Sequence, residues 1–491
     1  MDIITESAEL GHVLVLPFPA QGHINPFLSF SKRLAASGFI ITFMLPAQAY
    51  KLVQQTASHV TETGEGTEEM KKTTLVDEQE CGLNIRFEAY PDGSEPLPGI
   101  HPDCDPLKNL FLLLEDIEAQ KEFIEDVVVK SRDTPHPITC IISDSFLAWT
   151  SSLALKLGVQ RIFFWSSNGA SLATLLWVHN GKLNSTDGGL PADIPVAQSE
   201  LLSHAQAGQP EVIEKFVTGI VNSIKHSTCI VVNTFEQLER WSLTTTRALC
   251  EADVHYVGPL IKVGKEKTAR SFKFYAEDAS IITWLDKQVP GSVLYISFGS
   301  LVSLTQPEIE ELAAGVEQSK RPFLWVLRHK RHLLPHGFQD RTRGEGLVVN
   351  WAPQTEILEH AAVGGFLTHC GWNSVLESIH SGVPMVCYPL IHDQYSSALL
   401  ISKEWKLGYW LQKEADMVTR AEIQRGISSV FTSEEIRQSL SLWKTWSHRA
   451  LERGGSSDSS TQKFISTLKK LSASTKARSN AFQAIHTSNS E

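Results

Sequence analysis

Short apolar runs rich in β-branched and aromatic residues recur along the 491-residue chain, each separated from the next by a longer stretch of helical periodicity. That alternation constrains the fold more than any other feature, because strands joined by helical crossovers lie parallel and build an α/β sheet. In the first half the runs are His12 to Pro17, Phe39 to Leu45, Leu83 to Ala89, Thr139 to Ser143, Arg161 to Trp165 and Cys229 to Asn233. The series then begins again with Ser292 to Phe298, Phe323 to Leu327, Gly346 to Asn350, Gly365 to Thr368 and Pro384 to Tyr388. Between the two, Val257 to Ser280 holds Gly258-Pro259 and a Lys-rich stretch of weaker periodicity, which marks a linker. The length exceeds what one hydrophobic core serves, so two doubly wound α/β domains are expected. Their sheets' carboxyl ends, where open parallel sheets bind ligands, then face each other across a cleft. The expected division is residues 1–257, a linker 258–280, a second domain 281–455 and a terminal helix 456–471 after the Gly454-Gly455 turn. The Ser-rich remainder, 472–491, reads as a disordered tail, and Thr61 to Lys72 as a mobile surface loop.

Composition removes several classes of function. A net charge of −11 without any long basic run argues against a nucleic-acid interface, and the Arg328 to His332 cluster reads as a solvated turn. The seven cysteines are scattered, odd in number and without a CxxC pair, so neither a zinc site nor a disulfide framework is expected. Met1 to Leu10 carries acids where a secretory leader carries bases, and no apolar stretch approaches the roughly 20 residues of a membrane span. A cytoplasmic, monomeric protein is expected, and the sequon Asn184-Ser185-Thr186 means little in that setting. No GxGxxG follows a strand at either domain's start and no GxxxxGK[ST] occurs, so dinucleotide oxidoreductases and P-loop enzymes lack their usual anchor.

The informative segment is WAPQTEILEHAAVGGFLTHCGWNSVLESIHSGVPMVCYPLIHDQ, from Trp351 to Gln394. With PFPAQGHINP, SDSF, VVNTFEQLE, VGPL, WLD and ISFGS elsewhere, it gives a chain that resembles, over nearly its whole length, the plant family of UDP-dependent glycosyltransferases. The family's signature box has the same 44-residue length. The resemblance implies two Rossmann-like domains facing across a cleft (GT-B type), with acceptor binding in the first domain and UDP-sugar binding in the second. It implies transfer of a hexose, most simply glucose because the box ends in Gln394, to a hydroxyl of a small lipophilic or phenolic acceptor. No metal and no cofactor beyond the UDP-sugar co-substrate are expected, and the acceptor pocket falls to the segments around Pro91 to Leu112 and Leu175 to Ser203.

Several residues of the box also have a local explanation. Trp351 offers an indole face to uracil, a stack worth about 1–3 kcal/mol, or is a core aromatic. Ala352, through its backbone, and Gln354 are implied beside the base or ribose. The run Thr368 to Ser374 joins a strand to a helix, whose free amides suit a diphosphate; His369, Asn373 and Ser374, with Ser300 from the ISFGS turn, are implied phosphate contacts, although His369 alone could be a structural histidine. Glu377 is implied on the ribose hydroxyls, while Ser374-x-x-Glu377 also spells a capping box. Asp393 and Gln394 are implied hexose contacts, or a polar helix start; Trp372 either touches the sugar or packs beneath the loop. Tyr388, where Trp is frequent, and His392 depart from the family's commonest pattern.

In the first domain, PFPAQGHINP puts His23 in a Gly-flanked loop after the first strand, and imidazole is the side chain suited to taking a proton near neutral pH. Asp144 ends a neighbouring strand, where it could fix the imidazole's tautomer or cap the next helix. Ser166 matches a position near the sugar. The implied reaction is an inverting displacement with His23 as base. The alternatives are a non-catalytic nucleotide-sugar-binding protein and the same fold serving sterol, acid or thiol acceptors.

Overall fold

A strand in which every residue is apolar needs cover on both faces, and this chain supplies it by winding each sheet between helices. In the computed structural model, residues 11–51, 83–91, 106–179, 210–261, 280–299, 304–328, 330–391 and 393–488 are described. The first sheet holds β1 (His12–Leu16), β2 (Ile40–Pro46), β3 (Ile85–Tyr90), β4 (Ile138–Asp144), β5 (Gln160–Trp165), β6 (Cys229–Val232) and β7 (Asp253–Tyr256). The second holds β8 (Val293–Ser297), β9 (Phe323–Val326), β10 (Gly346–Val349), β11 (Val363–Thr368), β12 (Met385–Cys387) and β13 (Gly408–Trp410). β1, β2, β4 and β8 are buried at every position.

All pairings between these strands are parallel, in the orders β3-β2-β1-β4-β5-β6-β7 and β10-β9-β8-β11-β12-β13. Each sheet therefore reverses direction once, between β1 and β4 and between β8 and β11. A crevice opens outside the carboxyl ends of strands at such a switch point. The helices that bear on the site and on the chain's end are α1 (Gln21–Ala36), α2 (Gly169–His179), α3 (Gln354–Glu359), α4 (Trp372–Ser381), α5 (Asp393–Leu399) and α6 (Ser456–Ser488).

Two edge strands, β7 and β13, carry no apolar run long enough to announce them. β13 closes on β12 because Gly408 has no side chain: a Cβ there would overlap the Met385 carbonyl. A larger correction concerns the chain's end. The last helix runs from Ser456 to Ser488, past the Leu471 where the sequence placed its end, so residues 472–488 are helical where a disordered tail was expected. Its path explains this: α6 crosses to the first domain, burying Phe464, Ile465 and Leu468 among core residues of β1, β2 and α1. Ser472 is itself buried, its hydroxyl 3.1 Å from Thr139 Oγ1 of β4. No Gly or Pro interrupts residues 472–488, so a helix held by burial up to Ser472 meets nothing that stops it. Most of the expected linker (262–279), Thr61 to Lys72, the sequon, Cys81, Cys104 and most of the two acceptor segments lie outside the described residues.

Candidate active site

The chemistry-bearing side chains of the first domain sit where three strands end. His23 lies in the first turn of α1, directly after β1, rather than in a loop ahead of a helix. Asp144 is the last residue of β4 and is fully buried. Because β1 and β4 are neighbours flanking the switch point, the two side chains meet: His23 Nδ1 lies 2.7 Å from Asp144 Oδ2. Asp144 Oδ1 accepts from the Phe146 amide at 3.0 Å and the Ser145 hydroxyl at 3.3 Å, so its own turn fixes the carboxylate. With Nδ1–H donated to Asp144, the imidazole presents Nε2 as a proton acceptor. Phe18 and Phe146 crowd the ring at centroid distances of 5.1 and 5.0 Å, leaving the side chain 14% exposed. Ser166, just after β5, places its hydroxyl 3.0 Å from the same Nδ1.

In the second domain Trp351 and Ala352 follow β10, the indole half-buried and Ala352 buried. Gln354 opens α3, and its amide donates to Ser374 Oγ at 2.8 Å and to Glu377 Oε2 at 2.7 Å, while Thr355 Oγ1 donates to Glu377 Oε1 at 3.3 Å. The capping-box explanation of Glu377 fails, since the N-cap of α4 is Gly371 and Glu377 accepts from α3 instead of from its own helix's amides. Loss of water pushes the Glu377 carboxyl up to about 7, with the Gln354 and Thr355 donors pulling the other way. His369 follows β11; burial first, then the charge of Arg328, push its imidazole down to about 4, so it is neutral near pH 7. Among the described residues its Nδ1 is buried without a hydrogen-bond partner. The ring is wedged between Gly299 and Gly371, where a Cβ at either position would overlap it. Cys370, at φ 65, holds a left-handed backbone that side-chain-bearing residues rarely adopt, which places local strain in the turn that opens α4. Ser300 and His392 lie outside the described residues.

Several residues expected to face a ligand are engaged elsewhere. The Trp372 indole is buried against Trp405 and donates to the Asn233 carbonyl at 2.6 Å, so it packs beneath the loop instead of reaching a sugar. Asn373 donates to the Gly22 carbonyl beside His23, and its Oδ1 accepts from Asn233 Nδ2 at 3.1 Å. A phosphate reaches that amide only by sharing or displacing these partners. Gln394 spends its carbonyl oxygen on the Leu390 and Ile391 amides at 2.9 and 3.0 Å, which leaves its NH₂ to address a hydroxyl. Asp393, at the start of α5, accepts from Ser167 of the first domain.

The residues that reasoning from sequence missed are those that join the domains: Asn233 after β6, and Ser167 and Asn168 after β5. Asn168 Nδ2 donates to Ser396 and Ser397 on α5 at 3.1 and 3.2 Å. Their one legible signal was position, at the carboxyl ends of strands of the first sheet. Behind Asp144, the buried Arg161 donates to Ser143, Thr150 and Ser227; burial pushes its guanidinium down and the Asp144 charge pulls it up. Among the described residues no cluster of three or more metal-ligating side chains occurs, and no helix is long and apolar enough to cross a membrane.

The sequence and the fold both have known counterparts. A family model described as UDP-glucoronosyl and UDP-glucosyl transferase matches residues 281–440, and one described as Glycosyltransferase, N-terminal domain matches residues 11–72. A cinnamate beta-D-glucosyltransferase of Fragaria ananassa is 31% identical over 97% of this chain and 86% of its own. A gallate 1-beta-glucosyltransferase of Quercus robur is 31% identical over 97% of this chain and 93% of its own. Among solved structures, a UDP-glucosyltransferase from Polygonum tinctorium capable of glucosylating indoxyl is similar at a TM-score of 0.75 and 26% identity, covering 94% of this chain and 99% of that one.

Proposed function

Since the chain belongs to the plant family of UDP-dependent glycosyltransferases, we propose that it transfers glucose from UDP-glucose to a hydroxyl of a small phenolic or lipophilic acceptor, with inversion and with His23 as general base. His23 Nε2 takes the acceptor's proton as the acceptor oxygen attacks the anomeric carbon. The bond from that carbon to the β-phosphate oxygen breaks on the opposite face, and its electron pair leaves with UDP. Asp144 stabilises the imidazolium that forms. A positioned base contributes about 10² to 10⁴ in rate. The step as written balances without a metal ion.

The observation that carries this reading is the His23–Asp144 contact, made beside the Gly22 carbonyl that accepts from Asn373 on α4, the helix that also carries Glu377. Trp351 stacks the uracil, and the ribose hydroxyls donate to Glu377. The diphosphate lies at the first turn of α4, where free amides, the Ser374 hydroxyl and the orphan Nδ1 of His369 receive it, with Ser300 as the further contact that the family resemblance implies. Asp393 and Gln394 hold the hexose.

A second reading of the acceptor rests on the relatives named for cinnamate and gallate, which are aromatic carboxylates. A carboxylate oxygen is already deprotonated near pH 7 and needs no base. Incubation with UDP-glucose and a panel of phenols and aromatic acids, read by mass spectrometry for hexose adducts, separates the possibilities. Phenol adducts that vanish in His23→Ala support the first reading, and acid adducts that survive it support the second. Donor binding with no adduct on any acceptor points to a binding protein without transferase activity.

A further inference from the structure

The three residues between β5 and α2 connect the base to the far end of the donor site. Ser166 touches His23 Nδ1, Ser167 donates to Asp393 Oδ2, and Asn168 donates to Ser396 and Ser397 on α5. Ser396 Oγ in turn donates to the Asp393 carbonyl at 2.8 Å, so the sugar-site aspartate is held through its carboxylate and, by way of Asn168, through its backbone. The segment is rigid. Asn168 Oδ1 caps α2 by accepting the Ser171 amide at 2.7 Å, and its carbonyl accepts the Trp165 indole at 2.8 Å. The next two amides, of Gly169 and Ala170, each donate to the buried Glu239 carboxylate at 2.9 Å.

A serine hydroxyl has one proton. Ser167 has a second neighbour, Ser171 Oγ at 3.5 Å, but the carboxylate is the shorter and stronger acceptor. The donation fixes which oxygen of Asp393 is occupied and leaves Oδ1 and the remaining lone pairs to accept from hexose hydroxyls. A carboxylate free to rotate recognises hydroxyls less selectively than one held from behind.

We propose that Ser167 is a positioning residue for the donor sugar: a hydroxyl from the first domain orients the Asp393 carboxylate of the second, so hexose recognition is complete only when the domains are docked and His23 is in place. This rests on the assignment of the second domain as the UDP-glucose site. It adds a residue that acts through Asp393 without itself belonging to the donor domain.

The test compares binding of UDP-glucose with binding of UDP, which lacks the sugar, by titration calorimetry on the full chain. Loss of a hydrogen bond to a charged group corresponds to roughly tenfold or more in affinity. In Ser167→Ala, the ratio of the UDP-glucose to the UDP dissociation constant is expected to rise about tenfold, with the UDP constant within about twofold of wild type. Ser167→Thr restores the hydroxyl and is expected to restore the ratio. A parallel weakening of both ligands in Ser167→Ala would mean a merely structural role, and an unchanged ratio would mean none; either overturns the proposal. A wild-type protein that binds neither ligand removes the underlying site assignment, and this inference with it, an outcome distinct from both.

Discussion

At Asp144 the two carboxylate oxygens do different work: Oδ1 closes the turn after β4 and Oδ2 holds His23. Asp144→Asn keeps the shape but removes the charge that steadies an imidazolium. It is expected to lower kcat toward a phenolic acceptor by about 10² to 10⁴ while leaving UDP affinity unchanged, checked by steady-state kinetics beside calorimetry. Glu377 gives a second prediction at this scale. Its carboxyl is pushed up to about 7, and only the ionised form accepts from both ribose hydroxyls. Affinity for UDP-glucose, whose phosphates do not titrate in this range, is therefore expected to rise with pH toward 7 and to fall about tenfold for each unit below it. His369, held near 4, does not titrate there, and Glu377→Gln should flatten the profile and weaken binding throughout. A profile in which the wild type and Glu377→Gln run parallel would remove the carboxylate from donor binding.

Among the elements, the turn between β11 and α4 is built around the absence of side chains. Gly371→Ala keeps an allowed backbone, φ being −59°, but drives a Cβ into the His369 ring. It is expected to weaken UDP by about tenfold or more, since overpacking of about 1–3 kcal/mol displaces a phosphate contact. The terminal helix supplies a prediction for stability. Phe464, fully buried against Phe30 and His255, ties α6 to the first domain's core, and Phe464→Ala is expected to cost about 3–5 kcal/mol by urea unfolding. The strands were legible because parallel sheets bury both faces and write themselves as unbroken apolar runs. β7 was not, because Asp253 and His255 break its run, and β13 is three residues long. The continuation of α6 was hidden because what holds it, Ser472 against Thr139, is a polar contact 333 positions away with no local periodicity.

For the molecule as a whole, the two switch points define the cleft, and most residues expected in the site do lie at the carboxyl ends of strands. What the sequence concealed is how the halves hold each other. Asn233, Ser167 and Asn168 are small polar loop residues that look like any turn, and their partners Asn373, Asp393 and Ser396 lie 140, 226 and 228 positions further on. The sequence left Trp372 between a sugar contact and packing beneath the loop, and the structure packs it there, donating to the Asn233 carbonyl. Docking thus places the Gly22–His23 turn directly against Asn373 in the first turn of α4.

The central claim is that a proton acceptor from one domain and a UDP-sugar held by the other address the same carbon. A crystal structure with UDP-2-fluoroglucose, a donor that resists transfer, tests it in one measurement. The uracil should lie on Trp351 and the hexose against Asp393, with the anomeric carbon within about 6 Å of His23 Nε2, room for one acceptor oxygen in reach of both. A sugar turned away from His23, or a nucleotide seated outside the box from Trp351 to Gln394, would contradict it.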